Sequence, residues 1–196
     1  MNRHLHRIQR ASFVIAFLMI VLWIFSNVLP SALAENEEDV EYPAKLAFLY
    51  NFAKFIEWPP GSYRYPGSPF VICIAGHDPF SPGTESELRT RTVLGHPIEI
   101  RAVRATETSS VCSLLFIPVT ENDQADSILR GLRGSSTLTV GESEGFAARG
   151  GIINLTVEGN RLHFEINQLA AERAGLKISS RLFSLAKIVA DDRPPQ

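Results

Sequence analysis

Hydrophobic positions along this chain follow two periods, one helical and one extended. In KLAFLYNFAKFIEW, residues 45–58, Leu46, Phe48, Leu49, Phe52, Ala53, Phe55 and Ile56 cover about half of a helix's circumference at roughly 100° per residue. The spacing predicts a helix from a first-turn Pro43 to Trp58, stopped by Pro59-Pro60-Gly61. Its opposite arc holds Tyr50, Asn51, Lys54, Glu57 and Trp58. PFVICIAG (69–76) and SLLFIPV (113–119) are near-continuous apolar runs, the pattern of strands covered on both faces. HPIEIRAV (96–103) instead sets Ile98, Ile100 and Ala102 against Glu99, Arg101 and Val103, which predicts a half-buried edge strand.

TLTV (137–140) predicts a short strand, and GIINLTVEGNRLHFEIN (151–167) a β-hairpin turning at Glu158-Gly159-Asn160. Helices are predicted over Thr84–Leu94, with Thr84 and Glu87 in capping-box spacing, and over Thr120–Arg133, capped by Thr120. Two more close the chain, Gln168–Ala174 with Gly175 after it, and Ser180–Ala190 with a serine N-cap. This order argues for a single-domain α/β/α sandwich with a mixed β-sheet.

The N-terminus changes the domain boundaries. Arg3, Arg7 and Arg10 precede the uncharged apolar stretch 11–29, and Ala32-Leu33-Ala34 forms a small-x-small site ahead of Glu35. Residues 1–34 therefore read as a signal peptide cleaved after Ala34, the alternative being an uncleaved anchor of nearly bilayer length. The predicted organisation is a signal peptide at 1–34, an acidic flexible leader at 35–41 (ENEEDVE), the α/β domain at 42–190 and a tail at 191–196. Cleavage removes three arginines, so 19 basic residues become 16 against 21 acidic ones, a charge near −5. That balance excludes the basic stripe that nucleic-acid binding requires.

Both cysteines, Cys73 and Cys112, lie in the exported part. One bridge is the default in such a compartment, the alternative being two reduced, buried core cysteines. Gly141-Glu142-Ser143-Glu144-Gly145 matches G-x-S-x-G after a strand, but Gly150-Gly151 follows within about one turn where a nucleophile elbow needs a helix. The histidine downstream of it is His163, inside the hairpin, and two glutamates flank Ser143. His77 and His96 have no partners at metal-ligand spacing, and neither phosphate-cradling glycine motif occurs. The expectation is a non-enzyme without metal or cofactor.

Binding residues are better candidates. Tyr50 and Trp58, on the polar arc, are residue types an interface uses, although either can pack under a loop. In the hairpin's second strand, Leu162, Phe164 and Ile166 face one way and His163, Glu165 and Asn167 the other. Glu165 beside Asn167 at a strand end can order a partner or small ligand; the alternative is a solvated face with Asn167 capping the next helix.

KLAFLYNFAKFIEWP, VICIAG with its D-P-F turn, Cys112 before LLFI, LTV before GFAARGGIINL, and HFEINQLAAERAGLKISSRL with the last helix make up nearly all of residues 42–190. Together they resemble the YfiR family of periplasmic regulators. The resemblance implies an α/β domain that binds the periplasmic sensor region of an inner-membrane diguanylate cyclase and keeps it inactive. It also implies an OmpA-like outer-membrane lipoprotein that sequesters the regulator, releasing cyclic di-GMP synthesis and biofilm formation. Family members pair a cysteine in the first core strand with one before a later strand, and Cys73 and Cys112 fall on those positions. Some relatives carry a second pair around residues 143–154; this chain has none, which bears on any two-disulfide redox switch. Glu165 and Asn167 match the family's FEIN segment, which implies a binding groove. Similar domains also serve as small-ligand inputs to histidine kinases, and the sequence leaves a homodimer open.

Overall fold

The computed structural model describes residues 37–63, 65, 67–104, 111–159 and 161–192. The expected signal segment lies outside them, and none of the described helices is long and apolar enough to cross a membrane. The chain divides into two compact units, Met1–Val40 and Glu41–Gln196. The packing that follows is that of the second.

Helix α1 (Glu37–Lys54) carries Pro43 within it rather than in its first turn. A mid-helix proline costs about 3 kcal/mol. Leu46, Leu49 and Phe52, all fully buried, return roughly 2 kcal/mol each and outweigh it. The helix stops at Lys54 rather than Trp58. Phe55 closes its last turn, and Ile56–Glu57 form β1, antiparallel to β9, with Ile56 opposite Ile178. Trp58, directly before Pro59, disfavours helical angles, and pairing with β9 takes the two residues ahead of it out of the helix.

After β1 come β2 (Phe70–Ala75), α2 (Pro82–Arg89), β3 (Thr92–Val93), β4 (His96–Val103), β5 (Leu114–Ile117) and a 3₁₀ turn at Val119–Glu121. Then follow α3 (Asn122–Gly131), β6 (Leu138–Gly141), β7 (Ile153–Glu158), β8 (Arg161–Ile166), α4 (Gln168–Arg173), β9 (Lys177–Ile178), α5 (Ser180–Phe183) and β10 (Lys187–Ile188). Eight strands form one mixed sheet in the order β10-β8-β7-β6-β5-β2-β4-β3. Its centre, β4-β2-β5-β6-β7, is parallel, while β7 and β8 pair as the antiparallel hairpin.

The apolar runs explain the layering. Along β2, Phe70, Ile72 and Ile74 enter one core and Val71, Cys73 and Ala75 the other; Leu114 and Phe116 alternate with Leu115 and Ile117 in the same way along β5. The first core is closed by α1 and α2, together with Ala170 and Ala171 of α4 and Leu182 of α5. The second is closed by Ala125, Ile128 and Leu129 of α3, with Leu132 and Phe146. The α/β/α sandwich with a mixed sheet is thus the architecture.

Local boundaries differ from the expectations. The cap of α2 is Ser81, not Thr84, because Pro82 is well placed in the first turn. The last predicted helix ends at Phe183; Lys187–Ile188 instead lie parallel to Glu165–Ile166. β4 is one strand in from the edge, with Ala102 exposed and Val103 partly buried against the second core.

Candidate functional site

The diproline stop forms one wall of a cleft of about 310 Å³. Trp58, Pro59, Pro60, Gly61 and Ser62 face Val111–Ser113 and Ser135–Thr137 across it. Trp58 stands edge-on to Phe70, ring centroids 5.2 Å apart, so its ring packs at the margin of the first core. Its Nε1 is buried without a hydrogen-bond partner in the described structure. Cys112 lines the cleft and is joined to Cys73 of β2 by a disulfide, Cα atoms 5.6 Å apart. Closing a loop of 39 residues contributes about 4 kcal/mol in the chain-entropy model. Thr137 Oγ1 donates to the Cys112 carbonyl at 3.0 Å and fixes the start of β6 beside it.

Tyr50 occupies a different cleft, also of about 310 Å³, between α1 and α2, with Leu46, Ala47, Leu88 and Arg91 among its lining. The Lys54 ammonium and the Arg91 guanidinium lie 5.2 and 5.4 Å from its ring centroid. Tyr50 and Trp58 therefore do not form one patch on a helix arc. Tyr50 is on α1, and Trp58 lies beyond its end in extended chain.

Glu165 and Asn167 also separate. Phe164 and Ile166 enter the first core, leaving Glu165 on the other face of β8. There its carboxylate accepts from Lys187 Nζ of β10 at 2.8 Å and from Asn154 Nδ2 of β7 at 3.3 Å, so three neighbouring strands are tied in one row. The hydrogen bond to Glu165 raises the Lys187 pKa. Asn154 Oδ1 is buried without a partner in the described structure. Asn167 lines no groove, being 0% exposed. Its Oδ1 caps α4 by accepting from Ala170 N at 2.9 Å, and its Nδ2 donates to the Ala147 carbonyl at 2.7 Å. Both ends of this amide are thus engaged in the interior, away from any ligand at the surface.

A buried ionic knot was missed from the sequence. Lys45, 4% exposed, reaches both Glu41, one turn earlier, and Glu142 at the end of β6. Burial alone would lower the Lys45 pKa, but the hydrogen bonds to Glu142 and Glu41 prevail and raise it. Glu142 Oε1 also accepts from Val119 N at 2.8 Å, so α1, β6 and the turn after β5 meet at the carboxyl ends of the parallel strands. The signal was present: Lys45, Leu49 and Phe52 stand at i, i+4 and i+7 on the buried stripe.

The G-x-S-x-G segment has a packing role. A Cβ on Gly141 would lie 2.5 Å from the Phe146 ring and one on Gly151 2.0 Å from it, so both glycines make the seat for that side chain in the second core. Ser143 is 6% exposed, and turns rather than a helix follow it. Among the described residues no three His, Cys, Asp or Glu side chains gather as a metal site.

A solved structure shares part of this architecture. An ABC domain from Streptococcus pneumonia in complex with L-Trp matches with a TM-score of 0.53 and 12% identity over 75% of this chain, which spans 60% of that one. A conserved domain protein from Vibrio cholerae o1 biovar eltor matches at a TM-score of 0.43 and 14% identity, covering 62% of this chain and 55% of that one. The first likeness is one of fold. The model of the YfiR/HmsC-like family matches residues 42–187, from the second residue of the compact unit through the first residue of β10. The chain belongs to the YfiR/HmsC-like family.

Proposed function

We propose that this chain is an exported periplasmic regulator that binds the periplasmic sensor region of an inner-membrane diguanylate cyclase and represses it. Cyclic di-GMP and biofilm formation fall as a result, and an OmpA-like lipoprotein competes for the regulator. The family match over residues 42–187 carries this reading. The surface supports it: Tyr50 and Trp58 are half-buried aromatics at two open clefts, the kind of side chain that anchors a protein interface. In contrast, the charged side chains of the ionic knot and of the Glu165 row are paired within the protein, Lys45 with Glu41 and Glu142 and Lys187 with Glu165.

The test is deletion of the gene in its host, with cyclic di-GMP measured, and recovery of the tagged full chain from the periplasm. The expected result is a rise in cyclic di-GMP that re-expression reverses, together with co-purification of a cyclase. Unchanged cyclic di-GMP with a histidine kinase recovered in place of a cyclase overturns the reading in favour of a small-ligand sensory module.

A further inference from the structure

On a chain whose exported part is net acidic, four arginines gather on one face. Arg130 belongs to α3 and Arg133 lies just past its end; Arg149 lies in the turns after β6 and Arg173 ends α4. They line two adjoining clefts. One, of about 260 Å³, holds Arg133 and Arg173 at its rim over Leu129, Leu132, Ile152 and Ala170. The other, of about 170 Å³, holds Arg130, Arg133 and Arg149 with Asp126. Leu129 and Arg133 belong to both.

Two of the four are already neutralised. Arg149 pairs with Asp126 at 3.3 Å and also donates to Asn122 Oδ1 at 3.0 Å, while Arg173 pairs with Asp191 at 2.6 Å. Arg130 and Arg133 have no carboxylate within ion-pair distance among the described residues. Both are exposed. Two unpaired guanidinium groups one turn apart, over an apolar floor, form a local positive field that the rest of the chain opposes.

Resting on the reading of the chain as a protein-binding regulator, we infer that this ridge docks an acidic segment of the partner, with carboxylates on Arg130 and Arg133 and an aliphatic side chain over Leu129 between the two clefts. The shape favours a segment over a small anion. Each cleft is smaller than the roughly 300–1,000 Å³ that encloses a small ligand, and the four arginines are divided between two clefts that share Leu129 and Arg133. Bidentate guanidinium–carboxylate pairs add direction, and complementary rim charges act chiefly on association rate and salt dependence.

The experiment uses the full chain purified from the periplasm, as wild type, as Arg130→Glu with Arg133→Glu, and as Arg161→Glu with Arg181→Glu, both exposed and outside the two clefts, as a charge-matched control. Thermal unfolding first verifies that all three are folded. Two probes are titrated at low and high salt: a fluorescein-labelled glutamate–leucine peptide and the periplasmic domain of the cyclase. Wild type and control bind both probes in a salt-sensitive way, and the double reversal weakens both by about tenfold or more. Equal binding of the peptide by wild type and double reversal, or no binding of it by wild type, overturns the ridge. Inorganic phosphate displacing the peptide as effectively as an excess of unlabelled peptide also overturns it, in favour of a small-anion site. Peptide binding without cyclase binding supports the ridge and sinks the cyclase reading; cyclase binding that neither salt nor the reversal alters does the opposite.

Discussion

Lys45 and Glu142 meet in the interior although 97 positions separate them in the chain. Their contact fastens the first helix to the end of β6, and Glu41 gives the lysine a second carboxylate. Removing one member leaves a desolvated charge behind, which costs more than the pair itself contributes. Glu142→Gln keeps an acceptor for Val119 N but loses the charge, so it is expected to lower unfolding free energy in urea by about 2–3 kcal/mol, Glu41 limiting the loss. Adding Lys45→Met to it recovers part of that loss. Because the Lys45 pKa is raised in the folded state, its contribution is complete at neutral pH and fades only as pH climbs beyond 10.5.

Asp78 works in the opposite direction. Burial, with help from a hydrogen bond to Glu85, pushes its pKa up to about 6, against the pull of the Phe80 amide that donates to it at 2.8 Å. A carboxyl raised on folding binds its proton more tightly in the native state, so its stabilisation is present below the unfolded pKa of about 4 and is lost as pH rises through about 6. Asp78→Asn is expected to be the more stable protein at pH 7, by about 1 kcal/mol once solvent screening of this half-exposed group is allowed for. The gap closes toward pH 4, and thermal unfolding across that range reads it.

Trp58 and Tyr50 now carry different expectations. Trp58→Ala removes the edge-on contact with Phe70 and is expected to cost about 2 kcal/mol of stability. Tyr50→Ala removes a ring held by Lys54 and Arg91 above a cleft and is expected to cost under about 1 kcal/mol. Both are expected to weaken binding to the cyclase periplasmic domain when compared at temperatures where each is folded. Unchanged affinity in both would remove these aromatics from the interface.

Asn167→Ala deletes the cap of α4 and the bond to the Ala147 carbonyl together, leaving the Gly150 amide as that buried carbonyl's remaining partner. The expected loss is about 2–4 kcal/mol in urea, with affinity for the cyclase domain unchanged in the folded fraction. Asn167→Asp keeps the cap but cannot donate to Ala147, and is expected to fall short of wild type as well.

Much of the fold was legible because β2 and β5 are apolar without interruption, and only burial on both faces accounts for such runs. The hairpin was legible from alternation about Gly159, whose φ of +54° suits the turn. What could not be read were elements that exist only through pairing across the chain. β1 needs β9, and β10 needs β8; two residues carry no period of their own. The same limit applies to sites. The exposure of Trp58 was inferred from a helix that ends four residues before it, and Asn167 was weighed by the face of its strand, although the neighbour that occupies its amide comes twenty residues earlier. Cys73 and Cys112 were legible as a pair, since two thiols admit one intramolecular partnership.

Arg89 of α2 donates to the carbonyl of Ile100 at 3.0 Å, and beyond it on β4 Arg101 is bound to Glu99 at 2.6 Å. The strand outside β4 covers it only at His96 and Pro97, so a guanidinium and a charged pair guard the remainder of that margin. At the other margin the sheet closes on a strand of two residues. An incoming chain would have to evict Arg89 to add itself along β4. Strand addition from the β4 side is thereby disfavoured, and an extended segment of another chain finds a guarded edge there.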